Sequence, residues 1–176
     1  MRLFRAAADK GHIRATTLVG IGYLSGWGVP RDYGEAMRWA RRAAENGESG
    51  ATNLIGQFYQ NGWGITRDYG EAVRWYRRAA ESGNASGFNN VGVLYDKGLG
   101  VTQDYAESVR WYLQAAQRGN SWGMRNLGWA AEHGTGVAKD ANAAVQWYRR
   151  AAALSGDPDQ RAGAEDAKAN LARLGQ

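Results

Sequence analysis

The chain has 176 residues, the length of one domain or one short repeat array, and 44% of them are hydrophobic, which is enough for a packed core. A charged fraction of 22% argues against disorder, and no apolar run is long enough to span a membrane. Because the sequence has no cysteine, disulfides, zinc–thiolate sites and thiol catalysis are excluded.

Residues 2–10 are predicted to form a helix that corresponds to the second half of a repeating unit. This segment and the glycine after it match a later stretch 36 residues on: Leu3, Phe4, Ala7, Ala8 and Gly11 correspond to Trp39, Ala40, Ala43, Ala44 and Gly47. It therefore matches the second half of a unit whose first half is missing. This indicates either a piece of a longer chain or a half-repeat that serves as the cap of an array.

Four uninterrupted copies of a 36-residue unit follow, and each copy is predicted to contain two helices. The first helix covers residues 13–25, 49–61, 85–97 and 121–133. Its small and apolar residues recur on one helical face, and a glycine stands at the centre of that face: Gly20, Gly56, Gly92 and Gly128. Glycine costs about 1 kcal/mol relative to alanine inside a helix, so we expect a neighbouring helix to come too close for a Cβ.

The second helix of each copy is predicted to begin at an aspartate N-cap, at Asp32, Asp68, Asp104 and Asp140. Three residues later Glu35, Glu71 and Glu107 complete a capping-box pattern, which the fourth copy lacks. A broad apolar arc, which includes the tryptophan at Trp39, Trp75, Trp111 and Trp147, predicts a helix packed between two neighbours. Glycines at Gly47, Gly83 and Gly119 are placed to end the helix.

Between the two helices lies a Gly-x-Gly pair that could be mistaken for a phosphate loop. A phosphate-binding loop follows a strand and occurs once, whereas this pair follows a helix and occurs in every copy. We therefore predict tight turns with positive φ. The residue between the glycines is expected to cover the end of the helix pair: Trp27, Trp63, Leu99 and Thr135.

The last segment departs from the 36-residue period. Asp157 and Pro158 are a good helix start, and one face after them carries Ala164, Ala167, Leu171 and Leu174. We predict a capping helix over residues 158–174 that docks on the last repeat.

The copies resemble the Sel-like repeat family, a subclass of tetratricopeptide-type helical repeats. In the second copy the resemblance rests on Ala51, Ile55, Gly56, Tyr59, Gly62, Gly64, Ile65, Asp68, Ala72, Trp75, Tyr76, Ala79, Ala80 and Gly83. It implies an all-α fold, a right-handed α/α superhelix whose first helices line the concave side. The predicted single domain, 1–176, divides into half-repeat 1–11, repeats 12–47, 48–83, 84–119 and 120–156, and capping helix 157–176. The chain departs from the pattern where Ala40 and Ala131 replace tyrosines.

No residue constellation indicates catalysis, and we predict no catalytic, cofactor or metal site. His12 and His133 stand far apart, outside any metal-spaced motif. The recurring aspartate is explained by its capping role. On the outer face of the second helices glutamates alternate with arginines, which interrupts any track for phosphates, so a nucleic-acid partner is not expected.

If the first helices line a concave face, the side chains that vary there between copies form the predicted partner-binding surface. They are Thr17, Ile21, Leu24, Asn53, Gln57, Gln60, Asn89, Asn90, Val93, Asp96, Trp122, Arg125, Asn126, Trp129 and Glu132. Asn and Gln can pair with a peptide backbone, and Arg and Trp are typical hot-spot residues. The alternatives are that these are ordinary solvated residues of an unoccupied groove, or that a partner binds at another face or through an end-to-end contact of the array.

The resemblance implies a non-enzymatic scaffold or adaptor, widespread in bacteria, and we expect a protein partner whose peptide or helix lies in the groove. Two alternatives stay open. One is a binder or hydrolase of small molecules or cell-wall fragments that uses Asp96, Arg125, Glu132 and His133. The other is a regulatory segment of a multidomain protein. No signal peptide is recognised, which leaves cytoplasm and periplasm both open.

Overall fold

The computed structural model describes residues 1–176 and contains ten α-helices, one 3₁₀ turn and no strand. The helices are α1 (Arg2–Asp9), α2 (Ile13–Ser25), α3 (Tyr33–Glu45), α4 (Ser49–Asn61), α5 (Tyr69–Glu81), α6 (Ala85–Lys97), α7 (Tyr105–Gln117), α8 (Ser121–His133), α9 (Ala141–Ala152) and α10 (Arg161–Arg173). The all-α prediction is confirmed, and each predicted first helix has the bounds that the sequence indicated.

The helices form two compact units, Met1–Asn84 and Ala85–Gln176. In the first unit, helices α1 to α4 each pack against the next helix of the chain. In the second, α6 to α9 do the same, and α10 packs against both α8 and α9. The pairs α2–α3, α4–α5, α6–α7 and α8–α9 are therefore copies of one supersecondary structure. A continuous right-handed superhelix over all the repeats stays a prediction.

The second helix of each pair begins as predicted, because an aspartate carboxylate accepts a hydrogen bond from the backbone N–H three residues later. The Asp32 and Asp104 bonds are both 2.9 Å long. The expected reciprocal half of the capping box is wrong. The Asp32 N–H already donates to the Tyr23 carbonyl at 2.9 Å, and the Glu35 carboxylate accepts instead from Trp39 Nε1 at 3.2 Å.

The glycines of the first helices are needed because the second helix of the same pair comes close. A Cβ on Gly56 would lie 2.5 Å from Tyr76 Cδ1, and a Cβ on Gly128 would lie 2.6 Å from Tyr148 Cδ1. In the first copy, where Ala40 replaces the tyrosine, the nearest atom to such a Cβ on Gly20 is the Ala36 carbonyl oxygen at 3.2 Å. The close approach that the sequence predicted is therefore confirmed.

Tyrosine rather than tryptophan forms the aromatic core of the pairs. Tyr76 is 1% exposed and Tyr148 is fully buried, whereas the neighbouring tryptophans Trp75 and Trp147 are half-buried. Each of these indoles has an arginine over its ring: Arg78 lies 5.5 Å from the Trp75 centroid and Arg150 lies 4.4 Å from that of Trp147. The predicted core position of the tryptophans is therefore only partly right.

Positive φ occurs in the turns where the sequence predicted it. Gly62 and Gly64 have φ of 71° and 67°, and Gly83, which follows α5, has 82°. These left-handed conformations favour glycine, because a Cβ there meets the backbone.

The last helix starts three residues later than predicted. The Asp159 N–H donates to Asp157 Oδ1 at 2.9 Å, and the Gln160 N–H donates to the Asp157 carbonyl at 3.1 Å. These bonds hold residues 157–160 as a turn, so α10 begins at Arg161. The helix is fastened to α8, since the buried Ser121 hydroxyl donates to the Gln160 carbonyl at 2.7 Å.

Candidate partner-binding surface

A pocket of about 270 Å³ opens in the second unit, with residues of α6 and α8 on its sides and residues of α7 in its wall. Seven of the residues that the sequence singled out line it: Asn89, Val93, Asp96, Trp122, Arg125, Asn126 and Trp129. We call this cavity the α6–α8 pocket. Helix periodicity brings its residues together, because positions three or four apart share a face of each helix.

Five further residues line the α6–α8 pocket that the sequence analysis did not assign to it: Lys97, Ser108, Tyr112, Ala130 and Thr135. Ser108 carried a usable signal, because the other copies have alanine at its position. Tyr112 belongs to the tyrosine position of the second helices, which the sequence assigned to packing alone. Thr135 lies between two turn glycines, where we expected it to cover the helix ends.

A chain of polar contacts crosses the α6–α8 pocket between the two helices. Asn126 Nδ2 donates to Asn89 Oδ1 at 3.0 Å, and Arg125 Nη1 donates to Asn126 Oδ1 at 3.2 Å. The Arg125 Nε also pairs with the Asp166 carboxylate of α10. These bonds fix the orientation of both amides and of the guanidinium before any partner arrives.

Three polar groups of the α6–α8 pocket have no hydrogen-bond partner within the molecule. They are the half-buried Asp96 carboxylate, the Tyr112 hydroxyl and the buried Thr135 hydroxyl. Burial raises the pKa of Asp96 above its ordinary value of 3.8, although the nearby positive charge of Lys97 opposes that rise. Burial and the Asp96 charge likewise raise the pKa of Tyr112, while Arg125 opposes the shift. The pocket thus holds unused hydrogen-bonding capacity beside a partly desolvated carboxylate.

Two indoles flank these polar groups. Trp122 is 39% exposed, and Trp129 is half-buried. The Trp129 ring stacks on the imidazole of His133, with centroids 4.4 Å apart and planes at 22°. His133 Nδ1 is also 2.9 Å from the Trp129 carbonyl oxygen. These contacts restrict Trp129 to one orientation at the pocket wall.

Two predicted binding residues of the second unit do not line the α6–α8 pocket. Asn90 lies beside Asn89, whose Nδ2 is 3.5 Å from Asn90 Oδ1. Glu132 accepts from the Tyr148 hydroxyl at 2.9 Å and from Arg173 at 2.7 Å. Burial alone would raise the pKa of Glu132, but the hydrogen bonds from Arg173 and Tyr148 and the charges of Arg173 and His133 outweigh it and lower the pKa.

The predicted residues of the first unit lie on α2 and α4, and packing uses several of them. The Thr17 hydroxyl donates to Glu48 Oε2 at 2.9 Å, and Gln60 Oε1 accepts from the Tyr76 hydroxyl at 2.8 Å. Leu24 packs on the core of its unit and Asn53 is buried, whereas Gln57 is half-buried and Ile21 is 40% exposed.

The structure shows no group of three His, Asp or Glu side chains placed to hold a metal ion. Its helices are 13 residues long at most, and none meets the length and hydropathy of a bilayer crossing.

Comparison with known proteins places the repeats in one family. The Sel1 repeat model matches residues 1–12, 13–48, 49–84, 89–120 and 123–156. A search of curated proteins found no match.

Solved structures of Sel1-type repeat proteins are similar to the chain. A protective antigen of uropathogenic Escherichia coli with an SLR fold is 38% identical, with a TM-score of 0.78 over 87% of this chain and 33% of that one. The chain thus spans about a third of that protein's length. A Sel1 repeat protein from Oxalobacter formigenes is 30% identical, with a TM-score of 0.79 over 99% of this chain and 78% of that one. Cysteine-rich protein B of Helicobacter pylori, 21% identical at a TM-score of 0.54 over 65% of this chain and 88% of that one, shares the fold.

Proposed function

The chain belongs to the Sel1 repeat family, whose members generally mediate protein–protein interactions, and from this premise we propose that it is a non-enzymatic module that binds an extended peptide of a partner protein at the α6–α8 pocket. The observation that carries the proposal is the convergence of seven variable first-helix residues on one cavity. Most residues that hold the fold recur from copy to copy, whereas these positions vary along the array, so they are free to serve recognition.

The size of the α6–α8 pocket favours a peptide side chain as its occupant. Pockets for drug-sized ligands measure roughly 300–1,000 Å³, and this cavity measures about 270 Å³. It therefore suits one large side chain, while the rest of a peptide lies across the helices. Asn89 and Asn126 keep unused donor and acceptor capacity for a peptide backbone, since an amide offers two donors and one oxygen with two lone pairs.

The test is a selection of random linear peptides against the whole chain, followed by affinity measurement on three variants. Trp122→Ala and Trp129→Ala each remove one wall of the α6–α8 pocket, and we expect about tenfold weaker binding from each. Trp27→Ala is the matched control, because this indole is 56% exposed and lies in the other unit. It should leave the affinity unchanged.

Thermal unfolding of each variant separates loss of binding from loss of fold. The proposal requires Trp122→Ala to melt close to the wild type, since its side chain is exposed. If no peptide is selected, or if the three variants bind equally well, the pocket is not the site of partner binding.

A further inference from the structure

One position of the first helix does not have the same role in every copy. Leu24, Gln60, Asp96 and Glu132 are equivalent, 36 residues apart, and each belongs to the same helix pair as Ala40, Tyr76, Tyr112 or Tyr148. Gln60 and Glu132 each accept the hydroxyl proton of their tyrosine, at 2.8 and 2.9 Å. Asp96 is shorter than either side chain by one methylene, and it does not bond to Tyr112.

The consequence is an unsatisfied acceptor at the place where the other copies close a hydrogen bond. The Asp96 carboxylate forms no ion pair and no hydrogen bond with Tyr112, which lines the same pocket, and the buried Thr135 hydroxyl also has no partner. A partly desolvated carboxylate without a donor costs free energy unless a ligand satisfies it. A ligand that presents several N–H donors and a positive charge would satisfy the Asp96 carboxylate and the Tyr112 hydroxyl.

The walls of the α6–α8 pocket match such a ligand as well. Trp122 and Trp129 offer ring faces, and a guanidinium is attracted to an indole face while its five N–H donors point outward in the ring plane. Arg125 does not compete for Asp96, because it is already paired with Asp166 of α10 and bonded to Asn126.

We propose that the α6–α8 pocket binds an arginine side chain of the partner peptide, with Asp96 as the acceptor for the guanidinium and the two tryptophans as its walls. This rests on the proposed function for its peptide context. Arginine fits better than lysine because two acceptors, the Asp96 carboxylate and the Tyr112 hydroxyl, belong to residues that line the cavity, and an ammonium lacks the planar fork that reaches both. Lys97, at the rim, opposes the bound cation and so limits its affinity.

The experiment titrates the whole chain with N-acetyl-argininamide and follows the indole N–H signals of Trp122 and Trp129 by NMR. The citrulline analogue has the same shape without the charge, and the lysine analogue has the charge without the fork. We expect saturable shifts with the arginine probe and at least about tenfold weaker binding of both analogues.

Three variants are expected to weaken, strengthen or leave unchanged the affinity for the arginine probe. Asp96→Asn should weaken binding about tenfold or more, whereas Lys97→Gln should strengthen it a few-fold by removing a repelling charge. Glu165→Gln removes one negative charge from an exposed pair with Lys168 on α10 and should change nothing. If the citrulline probe binds as tightly as the arginine probe, or if Asp96→Asn binds as tightly as the wild type, the inference is wrong.

Failure of the arginine site can be distinguished from failure of the proposed peptide-binding function. Selected peptides that bind through Trp122 and Trp129 but tolerate replacement of arginine by citrulline would leave the interaction module standing and remove the arginine pocket. Probe binding without any selected peptide would support the arginine site and contradict the peptide module.

Discussion

At the scale of single side chains, the carboxylates Asp96 and Glu132 occupy equivalent positions and have opposite electrostatic environments. Glu132 is 14% exposed at its side chain and accepts from both Tyr148 and Arg173. Asp96 is partly desolvated and has no donor. The negative charge of Glu132 therefore stabilises the folded protein, whereas the negative charge of Asp96 destabilises it.

We predict opposite pH dependences for the neutral variants at these two positions. The lowered pKa of Glu132 contributes stability above its ordinary pKa, and this contribution is lost as the pH falls through the folded value. Glu132→Gln should therefore cost about 1 kcal/mol near pH 7 and progressively less towards about pH 3. The raised pKa of Asp96 contributes stability that is complete below 3.8 and is lost as the pH rises through the folded value.

Asp96→Asn should therefore be at least as stable as the wild type near pH 7, and any advantage should shrink in acid. Denaturant unfolding of both variants and the wild type at several pH values measures these differences. A marked loss of stability in Asp96→Asn at neutral pH would mean that the carboxylate has a structural partner, which contradicts the environment described above.

At the scale of the helix pair, the glycine of the first helix and the tyrosine of the second are a matched pair. The sequence allowed this contact to be predicted, because the glycine recurs at one phase where alanine would be the better helix former. It did not allow the contact atom to be predicted, because tryptophan and tyrosine both recur in the second helix. Only the geometry shows that Tyr76 faces Gly56 while Trp75 lies under Arg78.

The same limit applies to the candidate site. Helical phase predicted that Asp96, Arg125 and Trp129 share a surface, since each lies at a fixed step along its own helix. It did not predict the contribution of Tyr112, whose ring is core and whose hydroxyl faces the pocket. A tyrosine side chain is apolar along most of its length and polar at its tip, and a sequence pattern assigns it only the core role of the ring.

We predict that Gly56→Ala lowers the free energy of unfolding by about 1–2 kcal/mol. The new Cβ would lie 2.5 Å from the ring of Tyr76, which is 1% exposed and cannot move aside, and this overpacking outweighs the gain in helix propensity. Gly20→Ala is the control at the equivalent position, where Ala40 replaces the tyrosine and the nearest atom is 3.2 Å away. Urea unfolding should place Gly20→Ala close to the wild type. Equal losses in the two variants would mean that the tyrosine does not set the glycine requirement.

At the scale of the whole molecule, the stability of each unit is built from contacts between consecutive helices, as in other repeat proteins. Such an arrangement leaves the last pair with an apolar face unless another element covers it. Here α10 covers that face, with Ala164 and Ala167 fully buried against the helices before it. Gln160, just before α10, and Asp166 and Arg173 within it also hold Ser121, Arg125 and Glu132 of α8.

The role of α10 predicts that removing residues 157–176 destabilises the second unit by about 3–5 kcal/mol, the sum of several lost hydrogen bonds and the exposed apolar face. Hydrogen exchange should then speed up most in α8 and α9, which lose their neighbour. Removal of Gly175 and Gln176 alone is the control, because it leaves every contact of α10 with α8 in place.

The chain without residues 157–176 should also bind the arginine probe more weakly, since Arg125 loses Asp166 and becomes free to compete for Asp96. If exchange in α8 and α9 matched that of the intact chain, α10 would be an appendage and the preorganisation of Arg125 would have another cause.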